Sequence, residues 1–260
     1  MSLERSHPVW TRLRAEALRE AEAVPPLAAS LTETAAAEGP VDGLATLLGR
    51  LLPSLWLEPG MAAFLARDVL LRHPVAVEAA LADLERITML NFEPGGLLGT
   101  WIGGRGFHML LSHRVAHALW QERQHSLAMA WKTGAALLGA DIHPAARIGR
   151  GIFLDHGAGV VIGETAVIED EVCLWHGVTL GSTLMQDGER HPRIRRGAVL
   201  GAGATVLGAI EVGMGAVVAS GSVVLDPVAS HSTVAGNPAR PKPRHRHPYD
   251  FAARETAAPS

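Results

Sequence analysis

Two places in the second half of the chain carry a histidine next to a charged residue: Asp155-His156 and Arg190-His191. A neutral imidazole can take the proton of an attacking hydroxyl, and a nearby carboxylate can orient that imidazole. These residue types predict acid–base chemistry. The alternative is that they only satisfy backbone groups, as Asp and His often do in turns.

A repeat with a period of six residues surrounds both pairs and has to position them. Its aliphatic positions are Ile142, Ile148, Leu154, Ile162, Ile168, Leu174, Leu180, Ile194, Leu200, Val206, Val212, Val218 and Val224. Helices repeat at about 3.6 residues and alternating strands at about 2, so neither explains this period. Hexads are typical of a β-solenoid, in which each supplies one short strand and a turn, and three complete a triangular coil around the aliphatic residues.

The six-residue register is interrupted twice, and each interruption carries one of the two pairs. The spacing from position 154 to position 162 is eight instead of six, and the spacing from position 180 to position 194 is fourteen. Insertions in a repeat protein lie in its turns, and turns on one side often form the binding site. The interruptions therefore favour function over a purely structural role for these turns.

Asp141 and His143 form a third pair on the first predicted coil. They precede His156 by about one coil. Because neighbouring coils stack, we expect Asp141 to lie within reach of the His156 imidazole, as a carboxylate orienting a general base.

The first 140 or so residues show helical rather than hexad spacing. Helices are predicted over residues 10–23, 44–51, 61–72, 75–90 and 106–124, with a last helix ending near residue 139. Glycines at positions 95, 96, 99, 103 and 104 predict a break before the longest of these. Three histidines of that helix, His108, His113 and His117, are interpreted as surface or interhelix polar groups, because no carboxylate or cysteine completes a metal site.

Composition limits the class of function. The net charge of −3 gives no strong field towards nucleic acid or an acidic membrane. No apolar run approaches the roughly 18–20 residues of a membrane span, and the start lacks the apolar stretch of a signal peptide. The lone Cys173 excludes an internal disulfide framework and a Cys-rich metal site, and we interpret it as buried packing. We expect a cytoplasmic protein that binds neither nucleic acid nor membranes.

Three motifs carry a resemblance to a known family: DIHPAA at 141–146, LDHG at 154–157 and RHPRI at 190–194. Together they resemble the bacterial and plant serine O-acetyltransferases, closely over about residues 141–240 and more weakly through the helical half. The resemblance implies an α+β chain. Its predicted parts are an all-helical capping and oligomerisation domain (1–140), a left-handed parallel β-helix of hexapeptide repeats (141–238) and a basic, flexible tail (239–260).

The same resemblance implies transfer of an acetyl group from acetyl-CoA to the hydroxyl of L-serine, a step towards cysteine, without a metal. His156 matches the family's general base and Asp141 its orienting carboxylate. Asp155 matches the residue that holds the amino group of serine. Arg190 matches the partner of the substrate carboxylate, and His191 a second active-site imidazole.

The CoA side is marked by small residues that are also ordinary repeat residues. The positions that match the family's CoA contacts are Gly181, Ser182, Thr183, Ala202, Gly203 and Ser220. Positive charge at 239–247 suits CoA phosphates, although a solvated tail explains it equally well.

Three departures from the family pattern concern the substrate and a partner. Ser182 and Leu184 replace glycines of the loop after the seventh repeat, and bulk at Leu184 would narrow the pocket. The helical-half aspartate that adds to amino-group binding is absent, and Asn91 or Glu93 takes its place. The chain ends in AAPS where family members that bind cysteine synthase end in Ile, so this partnership is not expected.

Three other functions stay open at this stage. An O-acyltransferase for another hydroxy amino acid would use the same groups. A γ-carbonic-anhydrase-like zinc enzyme would use His156, His176 and His191 as ligands, although the histidine spacing of that class is missing. A non-catalytic trimer that senses an amino acid is the third. Flat solenoid faces commonly pack around a threefold axis, so we expect a trimer or a dimer of trimers.

Overall fold

The computed structural model describes residues 7–52, 55–184 and 187–243, and the first half of this part forms eight α-helices. They are α1 (Pro8–Ala23), α2 (Ala28–Ala36), α3 (Pro40–Leu51), α4 (Met61–Arg72), α5 (Pro74–Asn91), α6 (Gly96–Gly103), α7 (Arg105–Gln121) and α8 (His125–Ala136). A short 3₁₀ helix, Pro25–Leu27, joins α1 to α2. No helix among these residues is long and apolar enough to cross a membrane.

Six of these helices match the predicted ones, and α2 and α6 correct the sequence analysis. The glycine-rich stretch was expected to be a break, yet Gly96–Gly103 is helical. Leu97, Leu98 and Trp101 of this helix are buried in the core. Because that burial outweighs the cost of glycine in a helix, about 1 kcal/mol each, tertiary packing decides the conformation here.

The second half consists of short strands separated by turns. They are β1 (Asp141–Ile142), β2 (Arg147–Ile148), β3 (Phe153–Leu154), β4 (Val161–Ile162), β5 (Val167–Ile168), β6 (Cys173–Leu174), β7 (Thr179–Gly181), β8 (Arg193–Ile194), β9 (Val199–Leu200), β10 (Thr205–Leu207), β11 (Glu211–Val212), β12 (Val217–Val218), β13 (Val223–Val224), β14 (Thr233–Ala235) and β15 (Arg240–Lys242). All thirteen hexad aliphatics lie in strands. Twelve are buried and Ile148 is half-buried, which confirms the six-residue period.

The strands stack into the three faces of a triangular β-helix. Face 1 contains β1, β4, β7, β10 and β13, face 2 contains β2, β5, β8 and β11, and face 3 contains β3, β6, β9, β12, β14 and β15. All pairings are parallel except that of β14 with β15. The chain turns from face 3 to face 1 at what we call the 3–1 corner, and from face 1 to face 2 at the 1–2 corner.

The predicted tail falls partly in this β-helix. Arg240–Lys242, within the stretch expected to be flexible, forms β15 and pairs with β14. Residues 244–260 lie outside the described residues, and these include positions 244–247 of the basic stretch proposed for CoA phosphates.

Helix α7 lies directly on the first coil, and Gly106 makes this approach possible. A Cβ atom at position 106 would come within 1.8 Å of the Leu154 carbonyl oxygen, so only glycine fits. Further along α7, the His117 Nδ1 atom lies 2.7 Å from the Pro144 carbonyl oxygen in the turn after β1. The helix is therefore held against the turns that carry the candidate site.

A buried ion pair completes the junction between the helices and the β-helix. Asp83 of α5 accepts hydrogen bonds from Arg114 Nε (2.8 Å) and Nη2 (2.5 Å) of α7, and from the Ile152 backbone N–H (2.9 Å). Arg114 also donates to the Ile148 and Gly149 carbonyl oxygens. Burial raises the pKa of Asp83 to about 6, while Arg114 and the backbone donor oppose this rise, so the pair is charged at neutral pH.

Asp83→Asn is expected to lower the free energy of unfolding by about 3 kcal/mol, because it leaves the Arg114 charge buried without a counter-charge. Urea denaturation of the full chain measures this loss. Glu85→Gln is the matched control: Glu85 lies on the same helix but forms an exposed ion pair with Arg12 (2.9 Å), worth below about 1 kcal/mol. Equal losses in the two variants would contradict the structural importance of Asp83.

The three histidines of α7 differ in their surroundings. His108 Nε2 lies 2.8 Å from the Trp101 carbonyl oxygen of α6, an interhelix contact as predicted. His113 is buried, and neither of its ring nitrogens has a hydrogen-bond partner among the described residues. Burial lowers the pKa of all three, so they are neutral at pH 7. Cys173 is buried too, as predicted, and burial raises its pKa to about 11.

Candidate active site

The Asp155-His156 pair lies in the 3–1 corner, directly after β3. The two extra residues of this turn put His156 in a left-handed conformation with φ 56°, and Gly157 follows at φ 71°. His156 Nε2 stands 3.6 Å from Asp155 Oδ1. The imidazole is 70% exposed and the carboxylate 16% exposed, so the turn presents the ring to an incoming molecule while holding the acid in place.

Asp141 begins β1 on face 1, and the sheet register pairs it with Val161, the first residue of β4. The turn with His156 leads into that strand. The Asp141 carboxylate contacts Lys132 Nζ of α8 at 2.6 Å, and no ion pair joins it to His156 in the described chain. The orienting role of Asp141 therefore stays a prediction.

The Arg190-His191 pair lies in the 1–2 corner, where it rests on the turn after β4. Arg190 Nη2 contacts Glu164 Oε2 at 2.5 Å. The Thr165 hydroxyl accepts hydrogen bonds from the backbone N–H groups of Arg190 (3.0 Å) and His191 (3.1 Å). Four side chains of two successive coils thus form one cluster.

The electrostatics of this cluster keep its acid charged and its imidazole neutral. The hydrogen bond from Arg190 lowers the pKa of Glu164. Burial, and then the charge of Arg190, lower the pKa of His191. His143 borders the same corner, and burial lowers its pKa as well.

Sequence reasoning missed Glu164 and Thr165. It read IGETAV only as a repeat phrase, in which these residues occupy an ordinary turn. The available signal was their polarity, because the turn after β10 at the same corner begins with Gly208 and Ala209, which have no polar side chain. Glu164 and Thr165 become part of the site because the long insertion after β7 brings Arg190 and His191 against the turn after β4, one coil earlier.

The residues predicted for CoA are divided between the same two corners. Gly181, Ser182 and Thr183 end β7 and enter the 1–2 corner. Ala202 and Gly203 follow β9 in the 3–1 corner, and Ser220 follows β12 one coil further on. Backbone hydrogen bonds join the successive turns of the 3–1 corner. For example, Gly203 N–H donates to the His176 carbonyl oxygen of the preceding coil at 2.9 Å.

The remaining candidates lie apart from both corners' hydrogen-bond networks. Asn91 ends α5, and its Nδ2 atom lies 3.5 Å from Glu93 Oε2. Neither residue forms a hydrogen bond or ion pair with the predicted site residues in the described chain. Leu184 is 87% exposed at φ 58°, so its side chain fills no pocket of the single chain.

Within one chain, the two halves of the predicted site, at His156 and at Arg190, lie at opposite ends of face 1. His156 precedes β4, and Thr165, which holds His191, follows it. At about 3.3 Å per residue along a strand, the face is roughly 15–20 Å wide, whereas the Cα atoms of two consecutive residues are only about 3.8 Å apart. A single chain therefore does not bring His156 and Arg190 onto one small substrate.

A sizeable cavity of the described chain lies away from both corners. A cavity of about 650 Å³ lies between α5, α7 and β2, lined by His73, Val75, His113 and Arg150 among others. No group of three histidine, cysteine, aspartate or glutamate residues among the described positions is arranged to hold a metal ion.

Known proteins match this chain over most of its length, although no protein-family model does. Serine acetyltransferase 2 of Arabidopsis thaliana is 44% identical over 241 residues, which cover 91% of this chain and 74% of that protein. Soybean serine acetyltransferase complexed with serine superposes with a TM-score of 0.86 at 40% identity and covers 93% of this chain and 100% of its own. Serine acetyltransferase of Brucella abortus in complex with coenzyme A has a TM-score of 0.87 at 35% identity, with coverage of 93% and 97%.

These neighbours confirm the predicted fold class, helices followed by a left-handed parallel β-helix of hexapeptide repeats. The matches also cover nearly the whole chain, including the helical half. The chain belongs to the serine acetyltransferase family and is an acyltransferase.

Proposed function

We propose that this chain transfers the acetyl group of acetyl-CoA to the side-chain hydroxyl of L-serine, giving O-acetyl-L-serine for cysteine biosynthesis. The exposed His156 imidazole beside Asp155 carries this proposal. The imidazole takes the hydroxyl proton of serine as the oxygen attacks the thioester carbon. When the C–S bond breaks, the CoA thiolate leaves and receives that proton from the imidazolium. No covalent enzyme intermediate is needed.

Charges at the two ends of the site match a zwitterionic substrate. The Asp155 carboxylate binds the amino group of serine, and the Arg190 guanidinium binds its carboxylate through its free N–H groups. Glu164 keeps the guanidinium in place through Nη2. Glu93 or Asn91 supplies a second contact to the amino group. Asp141 orients His156 once the substrate is bound.

We further propose that each site is completed by a neighbouring copy of the chain. The 3–1 corner of one copy carries His156 and Asp155, and the 1–2 corner of the next carries Arg190 and His191. The division of the predicted CoA residues between these two corners supports the same arrangement. A ring of three copies in head-to-tail contact closes with three such sites, so the assembly is a trimer or a pair of trimers.

A thiol-release assay with acetyl-CoA tests the reaction and the acceptor. We expect kcat/KM to be highest for L-serine, at least about tenfold above homoserine and threonine, because one methylene or methyl group displaces the hydroxyl or the charged ends. Turnover of homoserine without turnover of L-serine would contradict the substrate and favour another hydroxy amino acid, in line with the changed Leu184 and Glu93 positions. Binding of L-serine without thiol release from any acceptor would favour the non-catalytic sensor.

A further inference from the structure

The backbone of Thr165 determines which nitrogen of His191 carries a proton. The Thr165 backbone N–H points at His191 Nδ1 over 3.2 Å. A backbone amide can only donate, so Nδ1 has to accept with its lone pair. In a neutral imidazole the single proton then sits on Nε2.

The Thr165 hydroxyl reinforces this assignment. A hydroxyl has one donor and two acceptor positions. Both acceptor positions are used by the backbone N–H groups of Arg190 and His191. The O–H hydrogen is therefore left to donate to His191 Nδ1, which lies 2.9 Å from Oγ1. Nδ1 therefore receives two donors and has no room for a proton of its own.

The orientation of the ring is fixed by its other edge. A Cβ atom built on Gly163 would lie 2.0 Å from both Cδ2 and Nε2 of His191, so the ring edge packs on the Gly163 backbone. Turning the ring over would place Cδ2 against the two Thr165 donors and leave both donors without an acceptor. A flipped ring is excluded by that loss.

The Nε2–H group is free to serve a ligand. It forms no hydrogen bond within the described chain, and the charge of the neighbouring Arg190 acts on the ring. The lowered pKa of His191 agrees with a ring that stays neutral at pH 7. A neutral ring with a fixed N–H next to a guanidinium stabilises negative charge on an oxygen.

We infer that Thr165 is a positioning residue that holds His191 as the Nε2–H tautomer, so that His191 donates a hydrogen bond to an anionic oxygen and does not act as a second base. The inference rests on the proposed function and deepens it. The oxygen belongs either to the substrate carboxylate or to the tetrahedral intermediate. His156 is then the site's general base.

Two variants of His191 test this role in the serine assay. The amide of His191→Gln places an N–H donor near the position of Nε2 but cannot take up a proton, whereas His191→Ala provides neither. We expect the Ala variant to lose about 10- to 100-fold in kcat/KM, the value of a hydrogen bond to a charged group, and the Gln variant to keep at least about a tenth of wild-type activity. Equal, larger losses in both variants would show a base and overturn the inference.

The kinetic parameter that changes in the His191 variants identifies the oxygen. A rise in KM for L-serine with kcat retained assigns the substrate carboxylate, and a fall in kcat assigns the oxygen of the intermediate. Both patterns agree with a donor.

Thr165→Val, with Thr165→Ser as its matched control, tests the positioning role of Thr165. Val has the same shape but no hydroxyl, so we expect kcat/KM to fall about tenfold, while Ser retains it within about threefold. ¹⁵N spectra of histidine-labelled protein report the tautomer directly, and the His191→Gln spectrum assigns the signal. An unprotonated Nδ1 in the wild type is the expected result, and a protonated Nδ1 would overturn the inference. If the wild type did not acetylate L-serine, the proposed function would fail while this spectrum still decided the tautomer.

Discussion

His156→Asn is expected to lower kcat for acetyl transfer to L-serine by at least about a hundredfold, because the variant removes the group that accepts the hydroxyl proton. Asparagine is chosen because it tolerates the left-handed backbone of this position, at φ 56°. The loss then reflects missing chemistry and not a strained turn. Thiol release at saturating L-serine and acetyl-CoA measures it.

His231→Asn is the matched control for this experiment. His231 also lies in a β-helix turn with a left-handed backbone, at φ 57°, and is remote from both corners of the candidate site. We expect this variant to keep wild-type turnover and the same urea midpoint as His156→Asn. Turnover of His156→Asn within about tenfold of the wild type would show that no base acts at this position.

Mixing two inactive chains is expected to restore activity if neighbouring copies complete each site. One chain carries His156→Asn and the other Arg190→Ala, each with a different affinity tag, and tandem purification selects mixed oligomers. In a ring of three copies containing both chains, about one site in three pairs the intact His156 corner with the intact Arg190 corner. Activity should therefore reach about one third of the wild type, well above the sum of the two variants.

A mixture that stays inactive would contradict sites shared between neighbouring copies. If His156 and Arg190 of one chain served the same substrate, every site in the mixture would carry a defect and the mixture would stay inactive. Oligomers that carry two differently tagged copies of the His156→Asn chain provide the background. The assay is performed at L-serine concentrations far below KM, where loss of the Arg190 contact is fully expressed in the rate.

The β-helix was predictable in detail because its core positions repeat. Each hexad needs one aliphatic residue pointing inwards, so Ile142 and its twelve equivalents mark every coil without knowledge of the fold. Helices lack such a strict marker. Helix α6 was missed because glycines disfavour a helix. Burial of Leu97 and Trp101 in the core stabilises the helix in spite of them.

Contacts between segments that are distant in the chain could not be predicted from the sequence. Asp83 and Arg114 lie 31 residues apart and look like ordinary charged residues of two helices, but they form the buried pair under the first coil. Glu164 and Thr165 contact Arg190 and His191 across the insertion, 26 residues away. Their partners depend on how the inserted loop returns to the preceding turn, and no local pattern encodes this.

The sequence by itself determined the triangular β-helix, the places where its register breaks and the residue types that can do chemistry there. With a six-residue period, the aliphatic residues are all buried when three hexads form each triangular coil. The local pattern therefore predicts the fold directly. Only the tertiary structure decided that Asp155-His156 and Arg190-His191 occupy different corners. The reason is that the corner at which a turn lies depends on the face of the β-helix to which the preceding strand belongs. The tertiary structure also decided the protonated nitrogen of His191, which depends on donors that Thr165 supplies from the coil below.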